Sequence, residues 1–125
     1  MGYLVDTDIL IDISKGNNKA IKFLSSLTEI KISAISAMEL IVGARNKKEI
    51  TAIEDFLSSY ERLHINEEIS VKALELIKQH SLSEGLSIPD AFIGATALNK
   101  DLILTTKNLR HFRVIKTVKL KEPNY

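Results

Sequence analysis

Residues 89–104 read Pro89-Asp90-Ala91-Phe92-Ile93-Gly94-Ala95-Thr96-Ala97-Leu98-Asn99-Lys100-Asp101-Leu102-Ile103-Leu104. Proline suits the first turn of a helix, where its missing N–H leaves no bond unmade. From Ala91 to Leu98 nearly every side chain is apolar or small, which predicts a helix buried on most sides and packed close to its neighbours. Leu102-Ile103-Leu104 is a continuous apolar run, as a strand covered on both faces requires. A buried helix leading into a buried strand is the signature of layered α/β architecture.

The same alternation extends outward in both directions. Upstream, Ile69, Ala73, Leu76 and Ile77 mark an amphipathic helix that Gly85 interrupts, and Leu63-His64-Ile65 is a short strand before it. Ile50, Ile53, Leu57 and Tyr60 form one helical stripe, and Ser36 to Ala44 reads as another helix. Ile30-Lys31-Ile32 alternates like a half-exposed strand. Ala20, Phe23, Leu24 and Leu27 keep helical spacing after the Gly16-Asn17-Asn18 break. Tyr3-Leu4-Val5 opens the chain as a strand, with a helix expected from Asp8. Downstream, Val114-Ile115 is the last strand candidate. Strands separated by helices predict a single α/β domain over residues 1–125, its central, mainly parallel sheet flanked by helices. Ligands of such folds bind outside the carboxyl ends of the strands.

The composition agrees with one ordinary globular domain. The 125 residues are 45% hydrophobic and 26% charged, and there is no cysteine, which excludes disulfides and thiolate metal sites. No apolar run approaches the ~20 residues of a membrane span, and acids at Asp6, Asp8 and Asp12 interrupt the N-terminal apolar stretch, unlike a signal peptide. A cytoplasmic protein is expected. The net charge of +1 hides an asymmetry: residues 1–106 hold 11 basic and 15 acidic side chains, whereas residues 107–121 hold six basic ones and no acid. That basic strip is either a phosphate-binding edge or a solvated strand whose lysines discourage edge pairing.

Three acids fall where chemistry is expected. Asp6 follows the first strand directly. Asp90 lies in the first turn of the buried helix, where the macrodipole favours it by ~0.3–1 kcal/mol. Glu39 sits three residues after Ser36, a spacing that fits a capping box with Ser36 as N-cap. Each has this structural role open to it, but together they would converge at one end of the sheet, beside small residues (Gly43, Ala44, Gly94, Ala97). Like charges ~5 Å apart repel by about 3 kcal/mol per pair at an effective dielectric near 20. Such a cluster needs protons or a cation. Oxygen ligands without cysteine or suitably spaced histidine favour Mg²⁺ or Mn²⁺ over zinc; His64, His80 and His111 are scattered and read as structural or surface residues.

Four segments carry a resemblance: Leu4-Val5-Asp6-Thr7-Asp8-Ile9-Leu10-Ile11, Ser36-Ala37-Met38-Glu39-Leu40, Pro89 to Ala97, and Leu104-Thr105-Thr106-Lys107-Asn108. In order and spacing they resemble the motifs of PIN-domain ribonucleases, most closely the VapC-type toxins of VapBC toxin–antitoxin systems, and they cover essentially the whole chain. The resemblance implies a Mg²⁺-dependent endoribonuclease with Asp6, Glu39 and Asp90 as its acidic residues, an RNA substrate, a VapB-like antitoxin and a homodimer. One departure is Asn108, which stands where many PIN domains carry a further acid, and it puts a second fully occupied metal position in doubt.

On this reading Asp6 and Asp90 bind the metal while Glu39 completes the cluster or orients the attacking water. Thr106 and Asn108 hydrogen-bond an aspartate or a metal-held water. Lys107 and Arg110 touch the RNA backbone, and Asp8 and Asp12 have helix-start and surface roles. A receiver-like domain would want an aspartate after the middle strand, where Asn66 stands. A haloacid-dehalogenase-type phosphatase would share Asp6-Thr7-Asp8 but needs a late acidic cluster. An RNA-processing PIN nuclease without an antitoxin, or a PIN-fold binding module with weak catalysis, remain alternatives within the family.

Overall fold

A computed structural model describes residues 1–125. Five strands, β1 (Tyr3–Val5), β2 (Ile30–Ser33), β3 (Glu61–Leu63), β4 (Ile103–Thr105) and β5 (Lys119–Lys121), form one sheet in the order β3-β2-β1-β4-β5. Every neighbouring pair is parallel. Seven helices connect them: α1 (Thr7–Ser14), α2 (Asn18–Ser25), α3 (Ala34–Val42), α4 (Lys47–Leu57), α5 (Glu67–Glu84), α6 (Ile88–Asn99) and α7 (Leu109–Phe112).

Strand periodicity explains the two cores. Successive side chains point to opposite faces, so Leu4 packs with Leu76, Ala91, Ile93, Leu104 and Phe112 under α5, α6 and α7. Its neighbour Val5 packs on the other face with Ile9, Leu10, Phe23, Ile32 and Leu57 under α1, α2 and α4. Leu4 and Val5 are both fully buried, as the central strand of a doubly covered sheet demands. The all-parallel arrangement aligns the carboxyl ends of β1, β2 and β4 on one edge of the sheet, and that alignment positions the site.

The helix predicted from Pro89 runs over 88–99 with Ser87 as its cap, its Oγ accepting the Asp90 N–H at 3.2 Å. Ala91, Ile93, Gly94, Ala95, Thr96 and Ala97 are buried. A Cβ at Gly94 would lie 2.6 Å from Ile115 Cδ1. The helix therefore forgoes ~1 kcal/mol of propensity at this position to lie close to the chain that follows α7. Upstream, Gly85 ends α5 in the left-handed conformation at φ 68°, and the Leu86 N–H returns to His80 O, a closure that favours glycine.

Two expectations are corrected. Ser36 is not the cap of α3: Ser33 is, its Oγ accepting the Ile35 N–H at 3.0 Å. β2 passes into α3 without a loop, so its last residue does the capping. Glu39 consequently lies in the second turn, and Ser36 is free to be buried among side chains. Nor are Val114 and Ile115 a strand. They close the turn after α7, with the Ile115 N–H donating to Phe112 O at 3.0 Å, and buried Ile115 packs against α6. The last strand is Lys119–Lys121, an edge strand with both lysines exposed around a half-buried Leu120.

Candidate active site

Asp6 lies at the hub of the site. It is the residue between β1 and α1, and its backbone N–H still donates to Thr105 O of β4 at 3.0 Å. Oδ1 accepts the Thr7 N–H at 2.8 Å, so Asp6, not Asp8, caps α1. Oδ2 accepts the Thr106 hydroxyl at 2.7 Å. Only 3% of Asp6 is exposed. Burial raises its pKa from 3.8 to about 7, the charge of Asp8 adds to the rise, and a smaller push comes from Asp90. The bonds from Thr106 and Thr7 favour the charged form without cancelling burial.

Asp8 belongs to the same polar cluster, a correction to its expected role as a simple helix-start residue. Oδ1 accepts its own helix's Ile9 N–H at 2.7 Å, but Oδ2 reaches across to accept the Lys107 N–H at 2.9 Å. The Thr106 hydroxyl is also 3.4 Å from Oδ2; with one proton to give, it serves Asp6 at the shorter distance. Burial raises the Asp8 pKa as well, opposed by the Lys107 backbone bond.

Glu39 joins through hydroxyls. Thr7 Oγ1 lies 2.7 Å from Glu39 Oε1 and 2.8 Å from Ser36 Oγ. An ionised carboxylate only accepts, so the Thr7 proton goes to Glu39, and the Ser36 hydroxyl can donate into Thr7. The Glu39 carboxylate is on the exposed side of α3. Asp90 projects from the first turn of α6 with 21% of its side chain exposed, and its Oδ2 is 3.4 Å from His111 Nδ1 of α7. It lines a cleft of about 430 Å³ shared with Ser87, Arg110 and His111.

The sequence-predicted residues thus share one edge of the sheet but do not form a tight triad. No three carboxylate or histidine side chains gather closely enough to hold a metal ion in this arrangement. The donor set nevertheless suits a hard dication: Asp6, Asp8, Glu39 and Asp90 offer carboxylate oxygens, and burial with the neighbouring Asp8 disfavours the charged form of Asp6.

Thr106 is fully buried, and its hydroxyl bonds Asp6. The link from Asn108 to Thr106 runs through its backbone N–H at 2.9 Å, while its exposed side chain does not cap α7. The ammonium of Lys107 is paired with Asp12. That pairing draws Asp12 out of a plain surface role. Thr7, Ser36, Asp8 and His111 were missed by sequence reasoning. The Asp6-x-Asp8 spacing was the available signal for Asp8; His111 had none, because its approach to Asp90 depends on how α7 packs.

The sequence and fold have relatives among known proteins. The PIN domain family matches residues 3–117. Ribonuclease VapC1 of Methanocaldococcus jannaschii is 35% identical over 120 residues, covering 94% of this chain and 84% of that protein. Ribonuclease VapC2 of Haemophilus influenzae is 35% identical, covering 90% of this chain and 92% of that one. Among solved structures, a toxin–antitoxin complex from Klebsiella pneumoniae superposes with a TM-score of 0.79 at 32% identity, covering 94% and 95% of the two chains. VapBC-1 from nontypeable Haemophilus influenzae gives 0.80 at 28% identity over the full length of both. The chain belongs to the PIN domain family and groups there with the VapC ribonucleases.

Proposed function

We propose that the chain is a Mg²⁺-dependent endoribonuclease, with Mn²⁺ able to substitute, and the toxin half of a type II toxin–antitoxin pair. The observation that carries this reading is Asp6, a buried carboxylate at the end of the central strand, raised to about 7 among further acids. A buried carboxylate whose charged form is disfavoured by burial and by a neighbouring acid is one that a bound dication would stabilise. The relatives named as VapC ribonucleases supply the reaction class.

Asp6 and Asp90 would hold the metal, and Glu39 would complete the set or orient the attacking water. When bound, the dication supplies polarisation of the phosphodiester and a more acidic water for in-line attack. The rest falls to the protein. Thr106 fixes the Asp6 carboxylate by its 2.7 Å bond. Thr7 holds Glu39 Oε1 and leaves its other lone pairs to accept from water. Arg110, on the wall of the Asp90 cleft, would meet a backbone phosphate.

The antitoxin reading is supported by solved neighbours that are VapBC or toxin–antitoxin complexes. A homodimer in the cytoplasm completes the proposal; no helix is long and apolar enough to cross a membrane. The dispersed acids favour one rival reading, a PIN fold that binds RNA with little catalysis. Incubating the purified chain with single-stranded RNA in Mg²⁺, and again with excess chelator, separates the two. Cleavage that stops with chelator is expected; binding without cleavage in either condition would replace the nuclease by the binding module.

A further inference from the structure

Two acids one helical turn apart grip a single lysine. Asp8 and Asp12 share a face of α1. Asp8 Oδ2 takes the backbone N–H of Lys107 at 2.9 Å, and Asp12 Oδ2 pairs with the same residue's ammonium. The Tyr125 hydroxyl donates to Asp12 Oδ2 at 2.8 Å. Its ring lies under the ammonium, 5.6 Å from centroid to Nζ, and is tilted against Phe23 of α2 at 6.1 Å. Lys107 follows Thr106, whose hydroxyl bonds Asp6 and accepts the Asn108 N–H.

We infer that Asp12, Lys107 and Tyr125 form a latch that holds the β4–α7 loop against α1, and so keeps Asp8 and Thr106 in register with Asp6. They are positioning residues, and their relevance to catalysis rests on the proposed reading of the site. An exposed ion pair contributes little to stability, and this one is only half-buried, with 39% and 19% of the two side chains exposed. Its effect is geometric. The helix that carries Asp6 at its cap is also the helix that carries both grips, so the loop and Asp6 move as one body while the latch is closed. Opening it leaves Lys107 held through its backbone alone.

Amide hydrogen exchange by NMR on the metal-free full chain reads the latch without reference to activity. Tyr125→Phe keeps the packing on Phe23 and removes the bond to Asp12; Asp12→Asn keeps an acceptor for Tyr125 and breaks the ion pair. Both should speed exchange at the Lys107 amide about tenfold, leaving the Asp6 amide unchanged. The double variant should be no worse than Asp12→Asn, because both act on one device. In single-stranded RNA cleavage the same variants should lower kcat about tenfold with KM constant, and Lys107→Arg should retain activity that Lys107→Met loses. Unchanged exchange at Lys107 would overturn the latch, whether or not the chain cleaves RNA. Faster exchange with kcat intact would overturn its positioning role. A fall in KM in Asp12→Asn would overturn it too, since a freed ammonium would then be binding RNA.

Discussion

At the scale of single residues, Asp6 governs the pH response. Its folded pKa of about 7 lies above its ordinary value, so the folded state holds this proton more tightly than the unfolded chain does. Its stabilising contribution is therefore complete below about pH 4 and is lost as pH rises through about 7. The full loss amounts to about 4 kcal/mol at most. In metal-free protein, the melting temperature of wild type measured against Asp6→Asn should fall across that interval; a flat difference would show that Asp6 titrates normally. Asp8→Asn should remove a like charge while leaving an acceptor for Lys107. It should lower the Asp6 pKa, read by NMR titration of the carboxyl carbon, and Asp8→Ala should in addition loosen Lys107. Residue identity at the site was legible where strand ends could be located, as at Asp6. It was illegible where a residue's role comes from a partner about 100 positions away, as with Asp8 and Lys107.

At the scale of elements, abutting segments decide where caps fall. Ser33 ends β2 and caps α3 while fully buried. Ser33→Ala leaves the Ile35 N–H without a partner and should cost about 1–2 kcal/mol, a drop of a few degrees in melting temperature. No such drop in a thermal scan would return the cap to Ser36. The capping-box pattern Ser36-x-x-Glu39 was misleading because sequence alone does not show that strand and helix are continuous. Val114-Ile115 misled for a related reason. Two β-branched residues suit a strand, but here their apolar surface is used to pack a turn beneath α6, and the edge strand beyond them is a lysine-rich segment. The strongly patterned elements, α6 with β4 above all, were readable because burial on every side leaves few polar positions to blur the signal.

At the scale of the whole molecule, a parallel sheet with β1 at its centre brings Asp6, the start of α3 and Thr106 to one edge, with Asp90 entering from α6. The layer architecture was legible from alternating apolar runs, but whether three of the acids gather closely enough to hold a metal was not, because side-chain direction depends on helix phase. We propose that this edge is a metal-dependent RNA-cleaving site organised on Asp6. Single-turnover cleavage of single-stranded RNA by wild type and Asp6→Asn, across a Mn²⁺ titration, tests it most directly. Expected is a wild-type rate that rises with Mn²⁺ to saturation, and an Asp6→Asn rate lower by at least about a hundredfold at every concentration, with the fold intact. Cleavage by Asp6→Asn at the wild-type rate, or wild-type cleavage indifferent to Mn²⁺ after chelation, would contradict it.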